Sequence, residues 1–136
     1  MASESFTPII KLEHADARGE IYSISLPDNR ELMLLHSKPG VLRGGHSHSC
    51  DEIVMLLSGQ MWYHKAISTD PDWVTEKTHL MDAGAGSRNL AGEVHMGAFI
   101  EDSWVIEYKF ADKDSWTQTD FEPYRARVRE SARTQN

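Results

Sequence analysis

Residues 40–59 read GVLRGGHSHSCDEIVMLLSG. Three side chains in this stretch, His46, His48 and Glu52, carry metal-binding chemistry within seven residues. Residues two apart on a strand project to one face. His46 and His48 therefore aim two imidazoles at a common point. Glu52 adds a carboxylate if the chain turns near residues 49–51. Imidazole and carboxylate are donors of intermediate softness, suited to a divalent transition metal. The flanking glycines, Gly40 and Gly59, and the short apolar run between Glu52 and Gly59 place the cluster at the junction of two strands.

The spacing resembles a known pattern. Gly40, five residues, His46-x-His48, three residues, Glu52, six residues and Gly59 match the first sequence motif of the cupins. A second cupin motif supplies a further histidine downstream. Here Gly92 and His95 keep its spacing, while Leu90 stands where proline is usual and Phe99 where asparagine is usual. The resemblance implies a metal held by His46, His48, Glu52 and His95. It also implies an all-β fold, a double-stranded β-helix or jelly-roll barrel. His79 is a competing histidine, set in a charged stretch before the glycine-rich turn at residues 84–86. Cys50 lies among the ligands in sequence and is a minor candidate, since a thiolate there would select zinc or copper.

The rest of the chain fits such a fold. Apolar or alternating segments at 21–26, 31–36, 53–57, 60–67, 73–80, 94–100 and 104–110 are broken by turn signals at 27–29, 38–40, 58–59, 71–72 and 82–86. Many short strands with regular turns predict an all-β sandwich or barrel. At 136 residues the chain is expected to form one domain, 1–136. Its barrel core would run over about 20–112, with an N-terminal arm at 1–19. Residues 121–136 differ in kind, with four arginines and no compact apolar run. A short packed helix and a frayed polar tail are both open for them.

Composition excludes some functions. A net charge of −7 leaves no basic stripe for phosphates, so nucleic acid is not an expected partner. No apolar run approaches the ~20 residues that span a bilayer, so no membrane partner is expected. One cysteine permits no intrachain disulfide. The opening MASESFTPII lacks a basic stretch followed by an apolar one, and the expectation is a cytoplasmic protein. The cupin resemblance adds a homodimer, because such arms often exchange between subunits in that family.

A single divalent ion (Zn, Fe, Mn, Ni or Co) with four protein ligands keeps positions open for a small-molecule substrate. Residues 38–46, KPGVLRGGH, resemble the equivalent stretch of cupins that epimerise or isomerise nucleotide sugars. That resemblance makes Arg43 a substrate-binding candidate. In those families the histidine serves as a base where no metal is present; here the metal pattern is intact, and His46 is read as a ligand. Lewis-acid chemistry needs a proton carrier. Tyr63 and His64 are both candidates, because the register of residues 60–65 is open and a one-residue slip swaps faces. In the segment 104–109, Trp104, Ile106 and Tyr108 share one face, and Val105, Glu107 and Lys109 the other. With the aromatic face inward, Trp104 and Tyr108 wall the pocket, the favoured reading because buried carboxylates are costly. With the other inward, Glu107 becomes a base.

The leading functional expectation is thus a metal-dependent isomerase, epimerase or lyase acting on a carbohydrate or sugar-related metabolite. An Fe(II)-dependent dioxygenase is the first alternative. A non-enzymatic small-molecule-binding or sensing module is the second.

Overall fold

The computed structural model describes residues 5–67 and 76–135. Eleven strands precede one helix: β1 (Ile10–Asp16), β2 (Gly19–Leu26), β3 (Arg30–Ser37), β4 (Leu42–His48), β5 (Glu52–Ser58), β6 (Gln60–Ile67), β7 (Lys77–Asp82), β8 (Gly86–Asn89), β9 (Glu93–Phe99), β10 (Ser103–Lys109), β11 (Gln118–Asp120) and α1 (Glu122–Gln135). They form two antiparallel sheets. One has six strands in the order β1-β2-β3-β10-β5-β8, the other five in the order β11-β4-β9-β6-β7.

This architecture corrects the expected all-β jelly-roll barrel in one respect. The sheets are open, and among the described residues no ladder joins one to the other. A barrel needs a hydrogen-bonded ladder that returns to its first strand. Here most consecutive strands after β3 cross between sheets, so they are linked by turns and not by pairing. Alternation of apolar and polar residues reveals strands and faces; it carries no information on ladder closure. Of the two readings open for residues 121–136, the helix is the one found, as α1. The expected strand 73–80 and the loop at 71–72 fall partly or wholly outside the described residues, which resume at Glu76 and enter β7 at Lys77.

The core lies between the sheets. Val54, Leu56, Met61, Tyr63, Met81, Phe99 and Val105 form its main cluster. They come from alternate positions of strands in both sheets, as period-2 patterning requires. A second cluster, Ala66, Val94, Met96, Tyr124 and Val128, sits under α1 on the outer side of the five-stranded sheet. Tyr124 and Val128 are fully buried. They stand one helical turn apart on one face. Glu122, Arg125, Arg127, Arg129 and Glu130 lie between and around them, which explains why residues 121–136 show no compact apolar run. Glu122 in the first turn complements the helix dipole. Val128→Ala should lower stability by about 2 kcal/mol, measurable by urea unfolding, because its cavity cannot fill from solvent.

The N-terminal segment pairs within its own chain, from Ile10 opposite Ile24 to Asp16 opposite Gly19. The sheet therefore begins at Ile10, ahead of the expected core boundary near residue 20. At the other end of β2 and β3, His36 bridges Glu20 (2.8 Å) and Asp102 (2.7 Å) and stacks on Trp104. Glu20 first, then Asp102, raises its pKa against the opposing effect of burial. Arg43 is the other charge at hand, bonded to the His36 carbonyl. A raised folded pKa means that protonated His36 favours the folded state. The contribution is full below the unfolded value of about 6.5 and is lost as pH rises through the folded value. His36→Gln should therefore cost on the order of 1 kcal/mol at pH 5.5 and less at pH 8.5, read from paired denaturation curves.

Candidate metal centre

The site is built on a bulge. In the pairing of β4 with β9, Gly44 lies opposite Met96, and the next partnered residue, His46, lies opposite His95. One residue is extra, and it falls at Gly44-Gly45, where φ is +105° and +83°. Only glycine takes such angles without strain. The bulge shifts the alternation by one, so that Arg43, His46 and His48 all line one cavity. Without it, Arg43 and His46, three apart, would point to opposite sides of the sheet. Helix α1 is tied to the same feature: Arg125 Nε donates to the Gly44 carbonyl at 2.7 Å, and the Phe121 amide donates to the Gly45 carbonyl at 2.9 Å.

His46, His48 and His95 offer ligand atoms that all lie within 4.8 Å of one another. They form a cluster positioned to hold a metal ion. The His95 Nδ1 stands 3.2 Å from the Glu93 carbonyl. A proton on Nδ1 completes that hydrogen bond and leaves Nε2 with its lone pair toward the cluster. His95 Nε2 and His48 Nδ1 are buried without a hydrogen-bond partner, as is Glu52 Oε2. Buried orphan nitrogens are costly unless something occupies the space between them, and a divalent cation satisfies them at once. Burial first, then the neighbouring His95 and His48, holds His46 at about 3. Burial also holds His48 at about 4, against the pull of Glu52. Both rings are thus neutral donors at neutral pH.

Glu52 stands beside this cluster. Its Oε1 is 2.9 Å from His95 Nε2 and 3.6 Å from His48 Nδ1, in neither case with hydrogen-bond alignment. Asn89 Nδ2 donates to Oε1 at 3.0 Å, and Lys109 Nζ lies 3.4 Å from Oε2. Burial would raise the carboxyl, but His95, Lys109 and His48 outweigh it and hold Glu52 at about 2. It is an anion on the edge of three imidazoles.

The cavity, about 790 Å³, opens between the two sheets. Tyr63 and Glu107 line it, as do Arg43 and Lys109. Burial first, then the charge on Glu52, pushes the Glu107 carboxyl up. Burial also pushes the Tyr63 phenol well above its usual value, and Asn89 Nδ2 donates to its oxygen at 2.7 Å. Arg43 is fixed by Ser37 Oγ at 2.7 Å and the His36 carbonyl at 3.1 Å.

Three expected site residues lie elsewhere. Trp104 and Tyr108 were expected to wall the pocket, but β10 turns Val105, Glu107 and Lys109 inward. Trp104 stacks on His36 and Tyr22, and Tyr108 accepts a hydrogen bond from Arg30, on the opposite face. The burial cost that favoured the aromatic face is visible in the raised Glu107 carboxyl, which Lys109, His95 and Arg43 offset only in part. His64 is fully buried but points away from the cavity, toward Glu76 and Thr78. Its neighbour Tyr63 takes the inward position. His79 is exposed on β7. Cys50 is half-buried, its thiol pushed up by burial, and it is not among the clustered ligand groups.

Sequence reasoning missed Asn89, Lys109 and Trp116. Asn89 bridges Glu52 and Tyr63 because β8 pairs it directly opposite Glu52. Trp116 sets its ring edge-on to His48 and carries Lys109 Nζ 4.4 Å above its face. For Lys109 a signal existed, its shared face with Glu107; for the other two, only the fold brings them in.

No family model matches the chain, and no curated protein matches its sequence. Solved structures do match in fold. The capsular polysaccharide assembling protein CapF from Staphylococcus aureus aligns with a TM-score of 0.66 at 18% identity, over 86% of this chain and 32% of CapF. Oxalate decarboxylase from Lactobacillus farciminis gives 0.66 at 15% identity, over 87% of this chain and 35% of that one. Vicilin from hazelnut, Corylus avellana, gives 0.66 at 12% identity, over 80% and 34%. The chain thus spans about a third of the length of each. At these identities the likeness is one of fold. A two-sheet β domain bearing a three-histidine cluster is consistent, at that general level, with the cupin superfamily. Proteins of such different names on one fold show that the site must carry the functional argument.

Proposed function

We propose that the chain is a metal-dependent enzyme that moves a proton on a small polar metabolite, as an isomerase, epimerase or lyase of a sugar-related compound. The observation that carries this reading is the convergence of three imidazoles, two buried and one half-buried, at a large cavity that also holds Glu107, Tyr63 and Arg43. His46, His48 and His95 would hold the ion, with Glu52 Oε1 as fourth ligand. When bound, a divalent ion supplies Lewis acidity toward a substrate oxygen.

The chain's own groups do the rest. Arg43, with a guanidinium already oriented by two hydrogen bonds, holds an anionic group of the substrate. Glu107 takes a proton from a substrate carbon and returns it. Its raised pKa brings it nearer the operating pH, where a general base works best. Tyr63 stays a phenol and donates to substrate oxygen. Asn89 orients Tyr63 and Glu52 together. CapF's link to capsular polysaccharide assembly supports a sugar-related substrate.

The test is proton exchange. Metal-loaded protein is incubated anaerobically in D₂O with keto-sugars and sugar nucleotides, and deuterium incorporation is followed by NMR. Incorporation should fall by about a hundredfold or more in Glu107→Gln. No exchange with any such substrate would overturn this reading, and turnover that appears only when oxygen is admitted and consumed would transfer the case to the oxygenase reading.

A further inference from the structure

The charges that line the cavity are sorted along β3. At the level of Ser37 stand two arginines. Arg18 precedes Gly19, which pairs with Ser37, and Arg43 Nε donates to Ser37 Oγ at 2.7 Å. At the level of Leu35 comes an apolar band of Ile21, Leu35 and Val105. At the level of Met33 stand two carboxylates. Glu107 pairs with Met33, and Glu13 accepts a hydrogen bond at 2.7 Å from Ser23, whose partner is also Met33. Glu31 lies beyond them.

The basic end lacks an anion. Arg43 is half-buried, and among the described residues it bonds only to neutral partners, Ser37 Oγ and the His36 carbonyl. Burial first, then the neighbouring charge of Arg18, lowers its pKa. Asp16 and Glu20 weigh the other way, but Arg18 engages the first at 2.9 Å and His36 the second at 2.8 Å. Arg18 spends Nε and Nη2 on Asp16, and Arg43 spends Nε and Nη2 on β3, so each keeps Nη1 without a hydrogen bond among the described residues. A desolvated cation without a counter-charge is costly. Two adjacent guanidiniums with free donors match an anion of high charge and several oxygens, which a phosphate is and a single carboxylate is not.

We infer that Arg18 and Arg43 form a phosphate subsite, and that the metabolite handled here is a phosphate ester of a hydroxylated carbon chain. For the reacting end this rests on the proton-transfer reading above. Ser37 and Met33 are four residues apart, about 14 Å along an extended strand. A carboxylate borne on the reacting carbon at Glu107 does not reach the arginines; a phosphate several bonds away does. Glu13, Glu31 and Glu107 repel the phosphate from the other end and accept hydrogen bonds from hydroxyls there, so the charges also set the direction in which the substrate lies.

The test is calorimetric titration of the metal-loaded full chain, repeated after chelation, with inorganic phosphate, a pentose 5-phosphate, the free pentose and acetate. Phosphate and the ester should bind with or without metal, and at least about tenfold more tightly than acetate or the free pentose. Arg18→Gln alters a side chain 49% exposed, so the fold should tolerate it. This variant, and Arg43→Gln if folded, should weaken phosphate at least about tenfold. Phosphate no tighter than acetate overturns the inference. So does binding that vanishes on chelation, which would place the anion on the metal, or binding unchanged in folded Arg18→Gln. Phosphate held by these arginines in a protein that exchanges no proton would retire the proposed reaction and leave the subsite standing; exchange confined to unphosphorylated sugars would do the reverse.

Discussion

His95→Ala should remove the response of this protein to divalent metal. In the wild type, an ion at a hundred times its dissociation constant should add about 2.7 kcal/mol to the folded state. For a domain of this size that is a rise in Tm of about 10 °C. In the variant the rise should vanish over the same concentrations. The Nδ1 contact to the Glu93 carbonyl leaves His95 Nε2 buried at the cluster without a hydrogen-bond partner. Alanine deletes that donor and leaves His46 and His48 alone beside Glu52, and two imidazoles with one braced carboxylate bind far less well than three with it. The metal-free variant should remain folded, because it loses a crowded, desolvated imidazole and no apolar core residue. His48→Ala should behave alike. A full Tm rise in both variants would remove the histidine cluster from the account.

Gly44→Ala should destabilise the chain by about 2–5 kcal/mol and weaken metal binding with it. A Cβ on Gly44 would stand 2.7 Å from the His95 carbonyl oxygen, where β4 meets β9, and φ there is +105°. The clashing atom is backbone of the ligand strand itself, so relief requires moving His95. Gly40→Ala is the control. Its φ is +82°, yet a Cβ there meets nothing within 4 Å, and only the conformational cost of about 1 kcal/mol remains. Urea denaturation of both variants, with metal titration of Gly44→Ala, separates strain from steric displacement. Equal losses would show that the bulge does not position the site.

The histidine pair was legible because its spacing matches strand alternation, and Gly59 because a turn with φ +94° admits no side chain there: a Cβ would collide with Ser103. His95 was legible from its spacing after Gly92, though two neighbouring motif positions had changed. The strands were largely legible from period-2 runs. The open pair of sheets was not, since ladder closure depends on which distant strands pair, as in β10 between β3 and β5. The orientation of β10 was misjudged for a physical reason. Burying Glu107 looked costly from its strand alone, and the groups that moderate its charge arrive from β4, β9 and its own Lys109. The bulge at Gly44-Gly45 was present in the sequence as two glycines, but its effect on Arg43 and His46 appears only against the partner strand β9.

His46, His48 and His95 should hold one divalent ion at the cavity between the sheets. Anomalous scattering from crystals grown with cobalt or zinc, recorded on either side of the metal's absorption edge, tests it most directly. One strong peak per chain should lie among the three imidazoles. No peak there, or a peak only at exposed histidines such as His14 or His79, would contradict it.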